Sequence, residues 1–362
     1  MGWQGWPRVK LRISAGENTQ GDPQFRAGKE TSPGSEAEAI APVIVSASRS
    51  TDIPAFYGDW FMERLREGYA KWINPWSGVP VYVSFAQTRL FVFWSKNPAP
   101  FLPNLSEISR QGYEYYFLFT LNDYEAEGME PHIPPLDERI ETFRSLSRRI
   151  GKEKVVWRWD PLLLTPRLDV KGLLERIRNV GDAIAPCTER MVISFIDIAK
   201  YPRVAGNLLK SGSGGVREFT PGEEGDLIAG LAGLNRSWKF RISACGEKRD
   251  FSMLGIGKGQ CISYDLMARV FGEDTALSRF LGLHDTPTLK GEETLQTPGS
   301  LRDPGQRPAC GCVVSKDIGQ YGTCPHLCLY CYANPSPQTV RRRYGIYRER
   351  AERGIFGDAI SE

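Results

Sequence analysis

Eight cysteines lie at positions 187, 245, 261, 310, 312, 324, 328 and 331, and five of them fall within 22 residues. Cys324, Cys328 and Cys331 form a C-x3-C-x2-C run with Tyr330 directly before the last thiol. Three thiolates on one tight loop can ligate three irons of a [4Fe-4S] cube and leave the fourth iron open to an exchangeable ligand. Cys310 and Cys312, with Cys245 at the end of an apolar run and Cys261 in the loop after it, make four further thiolates. Four would close a second [4Fe-4S] cluster or a structural zinc site. The sequence leaves open whether those four meet in space. Cys187, alone in an Ala-Pro-Cys-Thr loop, reads as a bystander. His326 sits inside the cysteine loop, where it would donate a hydrogen bond to a cluster sulfur. His132 and His284 lie in polar loops and read as exposed.

The chain around these thiols has 362 residues, 46 Lys+Arg against 43 Asp+Glu, and a formal charge of +3. Apolar residues make up 41% and charged residues 25%, proportions of a globular chain with a sizeable core rather than a disordered one. A core of that size needs no disulfides, so clustered cysteines read first as metal ligands. No stretch approaches the apolar length of a membrane span. Met1-Gly-Trp-Gln-Gly-Trp-Pro7 lacks a basic segment followed by an apolar one, so the expectation is a cytoplasmic protein. The near-neutral balance gives no support to a nucleic-acid partner. The one basic strip, Val340 to Arg350, is diluted by acidic neighbours and reads as a solvated helix.

The elements that would carry the thiols are short apolar runs separated by helical patterns. The runs begin at Val43, Leu90, Tyr115, Val155, Met191 and Lys239, are rich in β-branched and aromatic residues, and mostly lack alternation, as strands buried on both faces do. Helical spacing covers Ala55–Gly68, Asp137–Ile150 and Asp169–Ala185, with Asp169 placed to cap the last, and a shorter pattern spans Asp265–Phe271. Strand and helix in alternation predict an α/β fold built as a TIM-like β/α barrel. Six parallel strands in an open barrel are the first choice and a closed eight-stranded barrel the second. Four regions follow: 1–40, a half-exposed strand at Val9, Leu11 and Ile13 and then a mobile loop from Gly16 to Glu38; 41–300, the barrel; 301–340, the cysteine-rich segment; 341–362, a basic helical tail.

In a β/α barrel the loops after the strands build the pocket. Arg49, Lys96, Asn97, Arg158, Asp160 and Asp197 all follow or end a run, and are the expected lining for a small-molecule substrate and cofactor. A guanidinium such as Arg49 suits a carboxylate or phosphate. Asp52 reads instead as the cap of the helix after Pro54. Arg158 and Asp160 point to one side of their strand, so a mutual ion pair is the competing reading. Trp157, Trp159, Trp94, Phe91 and Phe93 read as core.

The C-x3-C-x2-C spacing with an aromatic before its third cysteine resembles the radical S-adenosylmethionine (SAM) superfamily, and the Cys-Tyr-Ala ending resembles its spore photoproduct lyase-like members. That resemblance implies that SAM chelates the open iron, that a reductase such as flavodoxin or ferredoxin reduces the cluster, and that SAM is cleaved to a 5′-deoxyadenosyl radical. From about Val43 to Asn334 the chain resembles the bacterial family domain of unknown function 1848. The matching segments are Ser46-Ala-Ser-Arg-Ser-Thr-Asp-Ile-Pro-Ala-Phe56, Val92-Phe-Trp-Ser-Lys-Asn-Pro98, Val156-Trp-Arg-Trp-Asp-Pro161, Val192-Ile-Ser-Phe195 and Cys310 through Asn334. Two departures from the superfamily stand out: the cysteine loop follows all six candidate strands instead of the first, and no Gly-Gly-Glu ends a strand. The rival expectation is an iron–sulfur or zinc protein for binding or electron transfer without SAM cleavage. A barrel hydrolase or lyase with a cysteine lid comes third.

Overall fold

The structure is a computed structural model that describes residues 5–13, 36–210, 215–283 and 295–362. His284, most of the Gly16–Glu38 loop and residues 284–294 of the expected barrel region lie outside the described residues. In chain order the strands are β1 (Arg8–Arg12), β2 (Glu36–Ile40), β3 (Ile44–Ala47), β4 (Tyr69–Ile73), β5 (Pro80–Ser84), β6 (Leu90–Ser95), β7 (Glu114–Thr120), β8 (Val155–Leu162), β9 (Arg190–Phe195), β10 (Arg241–Ala244), β11 (Gly257–Lys258) and β12 (Lys316–Asp317).

Eight of these form one parallel sheet in the order β11-β10-β9-β8-β7-β6-β3-β12. Each of the six expected runs is a strand, and each neighbours its successor, the winding of a β/α barrel rather than of a doubly wound sheet. The two-residue strands β11 and β12 extend the edges and were not marked by any sequence pattern. Among the described residues no ladder joins β11 to β12, so the large sheet is not closed.

A second sheet, ordered β1-β2-β5-β4, was foreseen only in its first strand. The helices match expectation closely: Leu136–Ile150, Val170–Ile184 with Asp169 accepting the Gly172 amide, and Tyr264–Val270. The expected Ala55–Gly68 helix is two pieces, Ile53–Phe56 and Gly58–Glu67, divided at Tyr57. No helix among the described residues is long and apolar enough to cross a membrane.

The pleat sorts the strand side chains into two cores. Val45, Phe91, Phe117, Phe119, Trp157 and Ile193 point to the face covered by the crossover helices, meeting Phe61, Phe143, Leu146, Ile177 and Leu231. Phe61 meets the rings of Phe91 and Phe93 edge-on at 5.2 Å, the geometry aromatic quadrupoles prefer. Ile44, Leu90, Val92, Tyr116, Leu118 and Val156 point to the other face. There Ile262, Leu266, Met267 and Phe271 fill the space beside the strand starts. Two residues further along each strand, on that same face, the apolar lining gives way to Trp94, Thr120, Arg158 and Ser194. The register sets the change level between β7 and β8, with Thr120 opposite Arg158, and staggers it on either side, with Trp94 opposite Leu118 and Arg158 opposite Val192. The fold therefore closes this face at one end and opens it at the end where the strands finish.

Candidate functional site

A cavity of about 310 Å³ occupies that open end, and all seven cysteines expected as ligands line it. Cys324, Cys328 and Cys331 arrive on an irregular loop anchored to the ends of β3 and β6 in the large parallel sheet. Asp52 makes the anchor. One carboxylate oxygen caps the helix Ile53–Phe56 by accepting the Ala55 amide at 3.0 Å, and also accepts the Ser95 hydroxyl at 2.7 Å. Its other oxygen accepts the Lys96 amide at 2.7 Å and faces His326 Nε2 at 2.8 Å. His326 Nδ1 meets the His132 carbonyl at 3.1 Å, so both ring nitrogens face oxygen acceptors. Leu327, in the left-handed region at φ 52°, reverses the chain between His326 and Cys328. A β-carbon at Gly319 would overlap the Ser48 side chain, so only glycine lets the loop lie this close to the strand end.

The cradle is already built for thiolates. Backbone amides of His326 and Asp52 favour the thiolate of Cys324, and those of Ala333 and Asn334 favour that of Cys331. Amides aimed at sulfur stabilise metal-bound thiolate charge and tune the potentials of iron–sulfur clusters. Burial pushes the Cys324 thiol up to about 12, and raises Cys328 and Cys331 as well. Three thiols, Cys328 buried and Cys324 and Cys331 partly so, fit a cationic metal group that would supply the missing compensation.

On the opposite wall Cys245, Cys310 and Cys312 hold their sulfurs within 4.8 Å of one another, close enough to bind a metal ion. Cys261 is not one of that mutually close set, but it lies beside it, its sulfur donating to Cys245 across 3.3 Å. The Ile262 amide donates to Cys312 sulfur at 3.4 Å. Cys312 is driven well below the ordinary thiol range by donors from Cys245, Cys261 and Cys310, with Arg49 adding to the effect. Arg49 and Arg158 stack on Trp94, with guanidinium carbons 5.4 and 4.6 Å from the ring centroid. Burial works against their charges, but for Arg49 the Cys312 sulfur and Asp317 outweigh it, and for Arg158 Asp160 and Cys261 do.

Between the two thiol groups lies a buried polar network. Lys96 Nζ donates to Glu130 at 2.5 Å and to the Tyr330 hydroxyl at 2.9 Å, and Tyr330 itself bonds Glu130. Asn122 adds a donor to Glu130 at 3.0 Å. Burial would raise Glu130, yet Lys96 and the hydrogen bonds hold it below the usual carboxylate range. The second Glu130 oxygen has no partner among the described residues.

Of the expected lining residues, Arg49, Lys96, Arg158, Asp160 and Asp197 reach the cavity. Asn97 does not line it; its side-chain oxygen accepts the Ala99 amide at 3.3 Å and starts the next turn. Arg158 and Asp160 pair with each other, as their shared face allows. His326 serves Cys324 through its backbone amide, because its ring is committed to Asp52 and His132. Trp94, expected in the core, lines the cavity instead, because its position follows the parity of Leu90 and Val92. Cys187 ends a short turn after the helix Val170–Ile184 and is not among the residues lining the cavity. Glu130 was missed. It stands in a polar loop far from any cysteine in sequence, where no spacing rule singles it out.

A family model described as "Domain of unknown function (DUF1848)" matches residues 44–333. No curated protein and no solved structure matches the chain.

Proposed function

The chain belongs to the DUF1848 family, and on that premise we propose that it is an iron–sulfur enzyme of the radical SAM type. Cys324, Cys328 and Cys331 would hold a [4Fe-4S] cluster, leaving one iron without a protein ligand. The observation that carries this reading is that Cys324, Cys328 and Cys331 line one cavity together with the strand-end cations Arg49, Lys96 and Arg158. When bound and reduced, such a cluster supplies the electron that cleaves SAM to a 5′-deoxyadenosyl radical. A one-electron reductase of the flavodoxin or ferredoxin kind is the partner this chemistry requires.

The chain's own residues bind, orient and shield. Asp52 fixes the cysteine loop against the barrel through Lys96 and His326. Lys96 holds Tyr330, and with it the chain between Cys328 and Cys331, in place through Glu130. Arg49 and Arg158, clamped on Trp94, present positive charge suited to carboxylate or phosphate groups of a small-molecule ligand. Phe195, Tyr201 and Tyr332 add aromatic walls, and enclosure of that kind keeps a carbon radical from water and stray hydrogen donors.

Low-temperature EPR of anaerobically reconstituted, dithionite-reduced protein tests the reading. The expected result is a [4Fe-4S]+ signal whose g-values shift on adding SAM, with formation of 5′-deoxyadenosine; Cys328→Ala removes both. A cluster signal indifferent to SAM would leave a binding or electron-transfer protein. That rival draws support from the position of the cysteine loop after all six strands and from the missing Gly-Gly-Glu.

A further inference from the structure

The second group of thiols differs in kind from the first. A single zinc ion with Zn–S bonds of about 2.3 Å in tetrahedral array sets its sulfurs about 3.8 Å apart. A cubane pushes its terminal thiolates outward from the corners of the cube, well beyond the spacing one shared ion imposes. Cys245 and Cys261 lie at 3.3 Å, and Cys245, Cys310 and Cys312 fall within 4.8 Å of one another. Among the described residues the trio Cys324, Cys328 and Cys331 does not come that close. The two groups are therefore spaced for different metal groups.

Their places in the fold differ too. Cys245 directly follows β10, Cys261 lies three residues beyond β11, and Cys310 and Cys312 precede β12. β11 and β12 are the two edges of the open sheet. Among the described residues that seam has no ladder but isolated bonds: Val313 N–H to the Ile262 carbonyl at 3.0 Å, Ile262 N–H to Cys312 sulfur at 3.4 Å and the Arg307 guanidinium to the Cys245 carbonyl at 3.3 Å. Arg49 and Arg158 stand beside opposite pairs of these thiols, Arg49 near Cys310 and Cys312, Arg158 near Cys245 and Cys261. Four thiolates around a divalent ion leave two negative charges, and the two guanidiniums offset them.

We infer that Cys245, Cys261, Cys310 and Cys312 bind one zinc ion as a closed tetrathiolate, and that this ion takes the place of the missing ladder between β11 and β12. Four thiolates fill the coordination sphere, so the ion is a structural bridge with no position left for substrate. The seam is held by metal where the rest of the sheet is held by backbone hydrogen bonds. The inference does not depend on SAM cleavage.

Elemental analysis of the full chain, purified anaerobically and reconstituted with iron and sulfide, tests it. The expected result is about one zinc per chain in the native protein and in Cys328→Ala, which loses its iron. Cys312→Ala and Cys261→Ala lose the zinc. Substitution of cobalt into the otherwise unaltered chain gives the visible bands of a tetrahedral tetrathiolate, a readout that does not require any variant to fold. Absence of zinc together with roughly four additional irons per chain, lost in Cys312→Ala, would identify a second cubane and overturn the inference. So would a cobalt spectrum without thiolate ligation. Zinc present without SAM cleavage would sink the radical reading and leave this one standing.

Discussion

Lys316 lies against the face of Trp72, its Nζ 3.3 Å from the ring centroid, beside Asp317 and Asp303. Burial lowers its pKa from 10.5 to about 8, more than the two carboxylates restore. Below pH 8 the ammonium is charged in the folded and unfolded chains alike, so the folded chain bears the full cost of burying it. Between about 8 and 10.5 the folded state gives up a proton that the unfolded state keeps, so stability rises with pH across that window. Lys316→Met is expected to stabilise the protein at pH 7 by about 2 kcal/mol, an advantage that shrinks above pH 8. Urea titrations of both forms at pH 7 and 9.5 check it. Glu130 presents the opposite case, a carboxylate kept charged by its neighbours. Glu130→Gln leaves Lys96 buried against a neutral amide and is expected to cost about 3 kcal/mol in thermal unfolding. It also frees Tyr330 next to Cys331, so iron retained after gel filtration falls as well.

Among the elements, the pairing of β11 and the residue after it, Gly259, with the end of β10 bears most directly on the thiols. A β-carbon on Gly259 would sit 2.5 Å from Ala244 carbonyl carbon and from Cys245 Cα and nitrogen, all backbone atoms that cannot swing aside. Gly259→Ala is expected to push β11 off β10, separate Cys261 from Cys245 and destabilise the fold by about 2 kcal/mol, with loss of metal from that group. Calorimetry and elemental analysis of the variant measure both effects. The same strands show how far the sequence reached. The six long strands were legible because β-branched and aromatic runs mark them, and the helices because apolar residues recur at three and four. β11 and β12 are too short to carry a period, and β4 and β5 hide inside the crossover from β3 to β6. At the site, spacing alone singles out Cys324, Cys328 and Cys331 as candidate ligands, and the structure places them in the cavity lining. Cys245 and Cys261 were nameable as ligands, but their meeting with Cys310 and Cys312 depends on the two sheet edges converging, which no local pattern encodes.

For the whole molecule, the open end of the sheet is assembled from both ends of the described chain. Asp52 and His326 are 274 positions apart, and Tyr57 donates to the Thr323 carbonyl at 2.6 Å. The helix Pro337–Ala351 then packs Tyr347 on Tyr57, with ring centroids 4.6 Å apart, and Trp60 donates to the Gly357 carbonyl at 2.9 Å. If metal bridges β11 to β12, its removal loosens the molecule along one line. Hydrogen exchange after chelation under reducing conditions is expected to rise first at residues 257–263 and 310–317, while β6, β7 and β8 stay protected. The order of the chain carries a further consequence. A ribosome releases Asp52 and the strand ends long before it releases Cys324, Cys328 and Cys331. The strand ends that line the cavity are thus made before the cysteine loop that completes it, and a metal held by Cys324, Cys328 and Cys331 could bind only after the last of these thiols has emerged.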